Sequence, residues 1–418
     1  MLAGRASASL RPVRRSPKRA HAETEGTLVG QNQGAKGAGF LRKAGALVVS
    51  AIRAGYATRL ANPGQMTPER TWIEVSLPAL VANARAVAAR NPGARLLPMV
   101  KANAYGLGAV PVARALEALD PWGFGVATVQ EGAELRRAGI ERSIVVFAPT
   151  VGALEAAQAQ RLTPAIGSAA QLERWLASAP RMPFHVEVDT GMGRAGFHWR
   201  EFAAAATRFR DEPGFEGVFT HLHSADEDAA SVREQRERFA VAIAALPKRP
   251  SLVHAANSAG ALSQPMVGED LVRPGIYLYG GAVPGYRPEP VVHWRARIIE
   301  TRWREAGATV SYGATYRTRT RGCLVTLAAG YADGLRRGLS NRGAALVCGR
   351  RLPFAGRVTM DMTVLDAGEH EPPADAVATL IGVDGGETIT LDEVAEAAGT
   401  ISYEILTGLS ERVERVYL

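Results

Sequence analysis

Short apolar runs alternate with amphipathic segments along most of this chain. Between residues 95 and 275, runs of strand length alternate with segments such as 130–138 and 232–245, whose apolar residues recur at helical spacing. A further helix is predicted before the first run, with Ser76 as its N-cap. Eight strand–helix units predict a parallel (β/α)8 barrel, with a doubly wound open sheet as the alternative. The apolar runs are 95–100, 123–127, 144–148, 163–167, 184–189, 216–220, 251–255 and 270–275.

Charged and hydroxyl residues follow several of these runs. In a parallel barrel, reactive side chains lie at the C-terminal ends of the strands, and phosphate ligands follow strands seven and eight. The chain has such residues at those points, and no Gly-x-Gly-x-x-Gly follows a first strand, which favours the barrel. The positions are Lys101, Asp189–Arg194, Thr220–His221, Ala256–Ser258 and Arg273–Ile276.

The pattern changes beyond residue 293. Strand-like runs separated by Gly and Asp turns predict a smaller, mostly antiparallel β domain with one short helix at 391–397. The predicted organisation is therefore a leader at 1–65, a barrel at 66–293 and a C-terminal β domain at 294–418. The predicted strands of the last domain are 297–301, 323–328, 344–347 and 377–381.

The net charge of +8 resides in the leader. Eleven Lys and Arg against two Glu give residues 1–65 a charge of +9, so the remaining chain carries −1 and has no nucleic-acid-binding composition. The leader is predicted to be disordered, and a short basic amphipathic helix at 40–60 is an alternative. Its Arg-rich start resembles a transit peptide. Met66 also fits as the native start, in which case the leader is an over-long gene prediction.

Composition narrows the class of protein. The chain has 418 residues, 47% of them hydrophobic, enough to bury one large core or two medium ones. No apolar run reaches the roughly 18 residues that span a bilayer. Cys323 and Cys348 are too few for a disulfide framework and are not spaced as metal ligands. We therefore expect a cytoplasmic protein without a metal.

Lys101 is the leading candidate for chemistry. It follows a predicted buried strand, where loss of solvation lowers the pKa of an amine and makes it a nucleophile towards aldehydes. Tyr105, beside Gly106 and Gly108, is placed to hydrogen-bond a phosphate. An amine next to a phosphate cradle suggests pyridoxal 5'-phosphate (PLP) held as a Schiff base.

Longer sequence strings around these residues resemble the alanine racemases, PLP enzymes with a barrel and a C-terminal β domain. The resemblance covers about residues 70–418. It implies a homodimer with shared active sites that interconverts L- and D-alanine, for peptidoglycan synthesis or alanine catabolism. The strings are 100–108, 189–196, 254–258, 310–316, 330–334 and 356–361.

The resemblance implies two catalytic bases, Lys101, which would also hold PLP, and Tyr312, which would reach the site from the partner subunit. Racemisation removes a proton from one face of the substrate Cα and returns one to the other, which requires two acid–base groups. His221 would lie near the cofactor ring and Arg273. Arg273 would face the pyridine nitrogen. Because arginine cannot accept a proton, the ring should stay neutral, which limits side reactions such as transamination.

The resemblance also implies a phosphate site without a dedicated lysine. Tyr105, Ser258 and the backbone amides of Gly275 and Ile276 would bind the phosphate, and Asn257 would belong to the same cofactor site. Hydroxyls and main-chain N–H groups suffice for such a dianion.

The substrate residues come from two parts of the sequence. Arg194 and the backbone N–H of Met360, the latter from the partner subunit, would bind the substrate carboxylate. Tyr331 would narrow the entrance and favour a small side chain such as methyl. Arg337 and Asp361 would hold the tyrosines in place.

Several positions depart from the best-known family pattern. Glu187 stands where many relatives have a carbamylated lysine that aligns the substrate arginine. Because a glutamate supplies an anion without CO2, we expect no carbamylation. Leu107 replaces a histidine and Thr359 a cysteine that many relatives have. Glu411 replaces a tyrosine, and no role is assigned to it.

Three other functions share part of this pattern. A racemase of broader substrate range would differ in pocket width. A PLP-barrel decarboxylase would not be expected to contain both 311–315 and 330–334. A non-catalytic PLP carrier resembles the barrel alone, and the β domain from residue 294 argues against it. The expected partners are alanine and a second copy of this chain, with no nucleic acid and no membrane.

Overall fold

The computed structural model describes most of the chain after the leader, and all described residues belong to the unit Thr67–Leu418. The leader predicted at 1–65 and the start predicted at Met66 lie outside the described residues. The described ranges are 68–147, 149–178, 181–263 and 268–418.

The first elements are strand β1 (Thr71–Val75) and helix α1 (Leu77–Arg90). The helix begins where predicted, because the Ser76 side chain accepts a hydrogen bond from the Ala79 N–H. It ends at Asn91, whose side chain donates to Val87 O at 2.9 Å in the last turn. Leu80, Ala84 and Val87 form its buried face, at the helical spacing read from the sequence.

Parallel strands form the barrel, and each of the eight predicted apolar runs overlaps one of them. Six form one curled sheet, in the order β3-β4-β5-β6-β8-β9, and β10 pairs with β2 in a second sheet. A short strand, β7, adds to β6. The bounds are β2 (Arg95–Leu96), β3 (Gly123–Val126), β4 (Ser143–Val146), β5 (Thr163–Ile166), β6 (Phe184–Asp189), β7 (Phe197–His198), β8 (Phe215–Phe219), β9 (Leu252–His254) and β10 (Leu271–Val272).

Backbone hydrogen bonds join the two sheets at both edges. On one side the Gly125 N–H donates to Pro98 O at 2.9 Å, and on the other the Asp270 N–H donates to Val253 O at 2.8 Å. The eight strands therefore follow one another around a ring, which confirms the predicted barrel. An open doubly wound sheet would leave two unpaired edges.

Helices follow most of the strands, including the two predicted at 130–138 and 232–245. Among the described residues, no helix is long and apolar enough to cross a membrane. The helices are α2 (Ala109–Glu117), α3 (Val129–Arg137), α4 (Leu154–Ala159), α5 (Ala169–Ser178), α6 (Phe202–Ala206), α7 (Ala229–Ala244) and α8 (Ser258–Ser263).

The C-terminal residues form the mostly antiparallel sheet predicted from the sequence. Its main path runs β16-β15-β18-β11-β1-β20, with β14, β17 and β19 paired alongside, and β12 and β13 form a separate hairpin. The predicted helix at 391–397 is α9 (Leu391–Ala398), and α10 (Ser402–Thr407) follows it. The strands are β11 (Val292–Arg304), β12 (Thr309–Val310), β13 (Tyr316–Arg317), β14 (Gly322–Leu327), β15 (Ala344–Val347), β16 (Arg350–Pro353), β17 (Thr363–Asp366), β18 (Val377–Asp384), β19 (Glu387–Ile389) and β20 (Glu414–Tyr417).

Strand β1 belongs to this C-terminal sheet, although it precedes the barrel in the chain. It pairs antiparallel with β11 and parallel with β20. All five of its residues are buried. The predicted domain boundary, with 66–293 before it and 294–418 after it, does not anticipate that β1 pairs with strands of the later segment. The boundary itself stays a prediction.

Candidate active site

A cavity of about 150 Å³ opens at the C-terminal ends of the barrel strands. Active sites of parallel barrels lie at this end. Ten residues predicted from the sequence line the cavity, together with Met99, Phe147, Phe219 and Tyr403. The ten are Lys101, Tyr105, Glu187, Arg194, His221, Asn257, Ser258, Arg273, Gly275 and Ile276.

Lys101 begins a short helical turn of unusual hand. In Lys101–Tyr105, the residues 102–105 have φ between 51° and 57°, so the turn is left-handed. This conformation costs an L-residue roughly 1–2 kcal/mol, so neighbouring contacts must hold the turn. Glu131, in the first turn of α3, does so by accepting a hydrogen bond from the Ala102 N–H at 2.7 Å.

The C-terminal strand holds the segment that follows this turn. Arg415 donates to Gly106 O and the Tyr417 hydroxyl donates to Leu107 O, both at 3.0 Å. Gly108 has a φ of 98°, and a Cβ there would lie 2.1 Å from the Tyr417 hydroxyl. The loop after Lys101 is therefore fixed from two sides, by α3 and by β20.

The surroundings of Lys101 favour its neutral amine. Burial lowers its pKa from the ordinary lysine value, and the positive charges of Arg194 and Arg273 lower it further, against the opposite effect of Glu131. A neutral amine is the form that attacks an aldehyde or accepts a proton. The electrostatics therefore agree with the nucleophile predicted at this position.

Arg273 is buried and held by four acceptors. Its guanidinium donates to Thr220 O, Ala255 O and His254 Nδ1, each at 2.9 Å, and lies 3.4 Å from His221 Nδ1. Burial lowers the pKa of Arg273 to about 10, so the group remains a cation at neutral pH. The side chain is thus fixed in direction before any ligand binds.

A chain of hydrogen bonds continues from Arg273 through the barrel interior. Because arginine only donates, His254 Nδ1 must accept, which places the His254 proton on Nε2. That nitrogen lies 3.0 Å from His185 Nδ1, and His185 Nε2 lies 3.3 Å from Glu216 Oε2. Both histidines therefore have the Nε2–H tautomer and link the arginine to a carboxylate.

His221 lies in the cavity as a neutral imidazole. Burial, followed by the charges of Arg273, Arg194 and Lys101, lowers the pKa of His221 to about 3. Protonation of His221 would place another positive charge beside two arginines and a lysine, which is unfavourable.

Another part of the cavity lining forms a cradle of hydroxyl and amide groups. The Ser258 hydroxyl accepts a hydrogen bond from the Gly275 N–H at 2.8 Å. A Cβ at Gly275 would lie 2.3 Å from the Tyr105 hydroxyl, so only glycine allows this approach. Burial keeps the pKa of Tyr105 well above its ordinary value, so its hydroxyl stays a donor. Lys101, the guanidinium groups of Arg194 and Arg273, and this cradle fit a phosphorylated aldehyde such as PLP.

Glu187 lines the cavity with Arg194, as the family resemblance implied. Burial raises the pKa of the Glu187 carboxyl, and the charges of Arg194 and Arg273 oppose that rise. Burial therefore favours the protonated carboxyl of Glu187, whereas the two arginines favour its charged form.

Four predicted site residues lie on the surface, outside this cavity. Tyr312 is 71% exposed in a short turn of the C-terminal β domain, Met360 is 53% exposed and Tyr331 is 43% exposed. Arg337 is also exposed. The carboxylate of Asp361 accepts a hydrogen bond from Arg412 at 2.9 Å. Within one chain these residues do not line the cavity.

Sequence reasoning missed Tyr403, which reaches the cavity from α10. Its ring lies 6.0 Å from that of Tyr105, and burial with the charge of Asp226 raises the pKa of Tyr403 to about 12. No signal in the sequence indicates Tyr403, because its place in the cavity depends on packing between residues far apart in the chain. Asp189 and Asp333 shape turns, since both carboxylates accept hydrogen bonds from nearby backbone N–H groups.

Both halves of the chain match family models. Residues 75–283 match the N-terminal domain of alanine racemase, and residues 291–417 match its C-terminal domain. The alanine racemase of Symbiobacterium thermophilum is 43% identical, over 83% of this chain and 97% of the relative. Alanine racemase 2 of Bacillus subtilis is 37% identical, over 83% and 94%.

Solved structures agree with these matches. The alanine racemase of E. faecalis superimposes with a TM-score of 0.78 at 34% identity, covering 83% of this chain and 98% of that one. The alanine racemase of Bartonella henselae with covalently bound pyridoxal phosphate gives 0.78 at 30% identity, covering 84% and 100%. The fold and these matches define an amino-acid racemase, which is an isomerase. The chain belongs to the alanine racemase family, a PLP-dependent family, and the resemblance seen in its sequence is confirmed.

Proposed function

We propose that this chain binds PLP and interconverts L- and D-alanine with two bases, Lys101 of one subunit and Tyr312 of its partner. The observation that carries the proposal is the division of the predicted site. Lys101 lies in the cavity with a lowered pKa, whereas Tyr312 lies exposed on the surface of the same chain. A homodimer is the simplest assembly that brings the two together.

Different groups lining the cavity suit different parts of the cofactor. Tyr105, Ser258 and the amides near Gly275 would hold the phosphate, and Lys101 would bind the aldehyde carbon. Arg273 would face the ring nitrogen as a fixed donor that cannot take up a proton. When bound, the cofactor supplies an electron-withdrawing group that acidifies the substrate α-proton.

The proton transfers fall to the two bases. A planar reacting carbon has two faces, and inversion requires removal of a proton on one and delivery on the other. The Lys101 amine approaches from the barrel, and the phenol of Tyr312 would approach from the second subunit. Arg194 and the Met360 N–H would hold the substrate carboxylate between them.

The physiological role is proposed from the reaction. D-alanine for peptidoglycan, or entry of alanine into catabolism, both need this interconversion. A cytoplasmic location stays a prediction from the two cysteines.

A mixed dimer tests the shared site. Co-expression of differently tagged Lys101→Ala and Tyr312→Phe chains allows the heterodimer to be purified through both tags. One of its two sites then contains native Lys101 and native Tyr312, so about half of the wild-type activity is expected, while each homodimer is nearly inactive. A heterodimer as inactive as its parents would refute the proposal.

A further inference from the structure

Arg412 joins two loops of the C-terminal β domain through their carboxylates. It lies just before β20, and its Nε donates to Asp333 Oδ1 at 2.7 Å. Its Nη2 donates to Asp361 Oδ1 at 2.9 Å. The Asp333 side chain is 2% exposed, against 46% for Asp361. One planar guanidinium thus connects a buried carboxylate with a partly exposed one, a geometry that lysine cannot reproduce.

The two carboxylates belong to the loops that carry Tyr331 and Met360. Asp333 shapes its own loop, because its Oδ2 accepts the Gly330 N–H at 2.8 Å while its Oδ1 binds the arginine. Asp361 directly follows Met360 in the other loop. Arg412 therefore acts on both loops at once.

Direct contacts between the loops set the direction of the Met360 N–H. The Tyr331 N–H donates to Thr359 O, and the Ala332 N–H donates to Met360 O, both at 2.9 Å. Because C=O and N–H of one peptide plane point in opposite directions, the bond to Thr359 O also fixes the Met360 N–H. At Gly330, a Cβ would lie 2.4 Å from Met360 O. The loops are therefore closely apposed, and a small separation would turn this N–H.

We propose that Arg412 is a positioning residue for the active site of the partner subunit, through Tyr331 and the Met360 N–H. This inference rests on the shared site of the proposed function. Arg412 touches neither substrate nor cofactor in it. It holds together the two loops that would approach the partner's cavity.

Conservative replacement distinguishes positioning from folding. Arg412→Lys keeps the charge near the buried Asp333 but loses the two-carboxylate fork. A loosened Met360 N–H weakens binding of the substrate carboxylate, so KM for alanine should rise about 3- to 10-fold with cofactor content unchanged. Arg321→Lys alters an exposed ion pair with Glu305 in the same domain and serves as the matched control, with unchanged KM expected.

The heterodimer of Arg412→Lys and Lys101→Ala chains tests action across the interface. Its single working site combines Lys101 of the first chain with the native loops of the second. KM should therefore return to the wild-type value, and kcat per dimer should be about half. If KM of this heterodimer stays raised, Arg412 acts within its own chain and the inference is wrong. An unchanged KM in the Arg412→Lys homodimer would also overturn it.

The Lys101→Ala and Tyr312→Phe heterodimer separates the two proposals. If it is active while the Arg412→Lys heterodimer retains a raised KM, the shared site stands and the role of Arg412 fails. If it is inactive, the shared site fails, and the inference fails with it.

Discussion

At the scale of single residues, the cavity is defined by charges that change one another's ionisation. Lys101, His221, Arg194 and Arg273 are four basic groups lining one cavity, and each charge there opposes the next. Burial, and after it the neighbouring positive charges, lowers the pKa of Lys101 and His221. Sequence could identify these residues but not their charge states, because burial and distances between distant segments determine them.

Glu187 should support Arg194 without carbamylation. Glu187→Gln removes the anion while keeping the shape, so KM for alanine should rise about 3- to 10-fold or kcat should fall by a similar factor. Steady-state kinetics measure this, with Glu173→Gln on the surface as the matched control. Wild-type kinetics in Glu187→Gln, or activity that depends on added CO2, would show that Glu187 does not have this role.

His221 should stay neutral throughout the working pH range. Its pKa of about 3 lies below the ordinary 6.5, so the unfolded chain binds more protons at this residue between those values. The ionisation of His221 therefore leaves the free energy of unfolding unchanged above pH 6.5 and lowers it as pH falls from 6.5 towards 3. Nitrogen chemical shifts of the imidazole should report the neutral ring at pH 5. A titration of His221 near pH 6.5 would contradict the assignment.

At the scale of elements, local sequence predicted what local interactions determine. The barrel strands, the N-cap of α1 and the helix α9 follow from the hydrophobic periodicity and the capping residue. The left-handed turn after Lys101 could not be predicted, because Ala and Tyr do not favour this conformation and Asn usually adopts it only as a single residue. Contacts from α3 and β20 impose it, and these come from residues about 30 and about 310 positions away in the sequence.

The turn should depend on Glu131. Its carboxylate caps α3 and also accepts the Ala102 N–H, so Glu131→Ala should cost about 1 kcal/mol as a lost cap and more as the turn relaxes. Cofactor affinity should fall together with the free energy of unfolding. Denaturant unfolding and PLP titration measure the two effects. Glu134→Ala, at an exposed position of the same helix, is the control, and equal effects of the two substitutions would exclude the role of the turn.

At the scale of the whole molecule, sequence predicted the order of the parts but not how they join. The sequence did not predict the pairing partners of strand β1, because β11 and β20 lie more than 200 residues further along the chain. Tyr403 reaches the cavity for the same reason, through packing between distant segments. Tyr312 and Met360 are exposed because they lie in surface loops. The proposal that they contribute to the active site of a second subunit explains this exposure.

Proton exchange in Tyr312→Phe tests the two-base account most directly. The holoenzyme is incubated with each alanine enantiomer in D2O, and loss of the α-proton is followed by NMR while inversion is followed by circular dichroism. The account predicts that racemisation falls at least ~100-fold, while Lys101 still exchanges the α-proton of one enantiomer only. Racemisation at the wild-type rate, or equal exchange of both enantiomers, would contradict it.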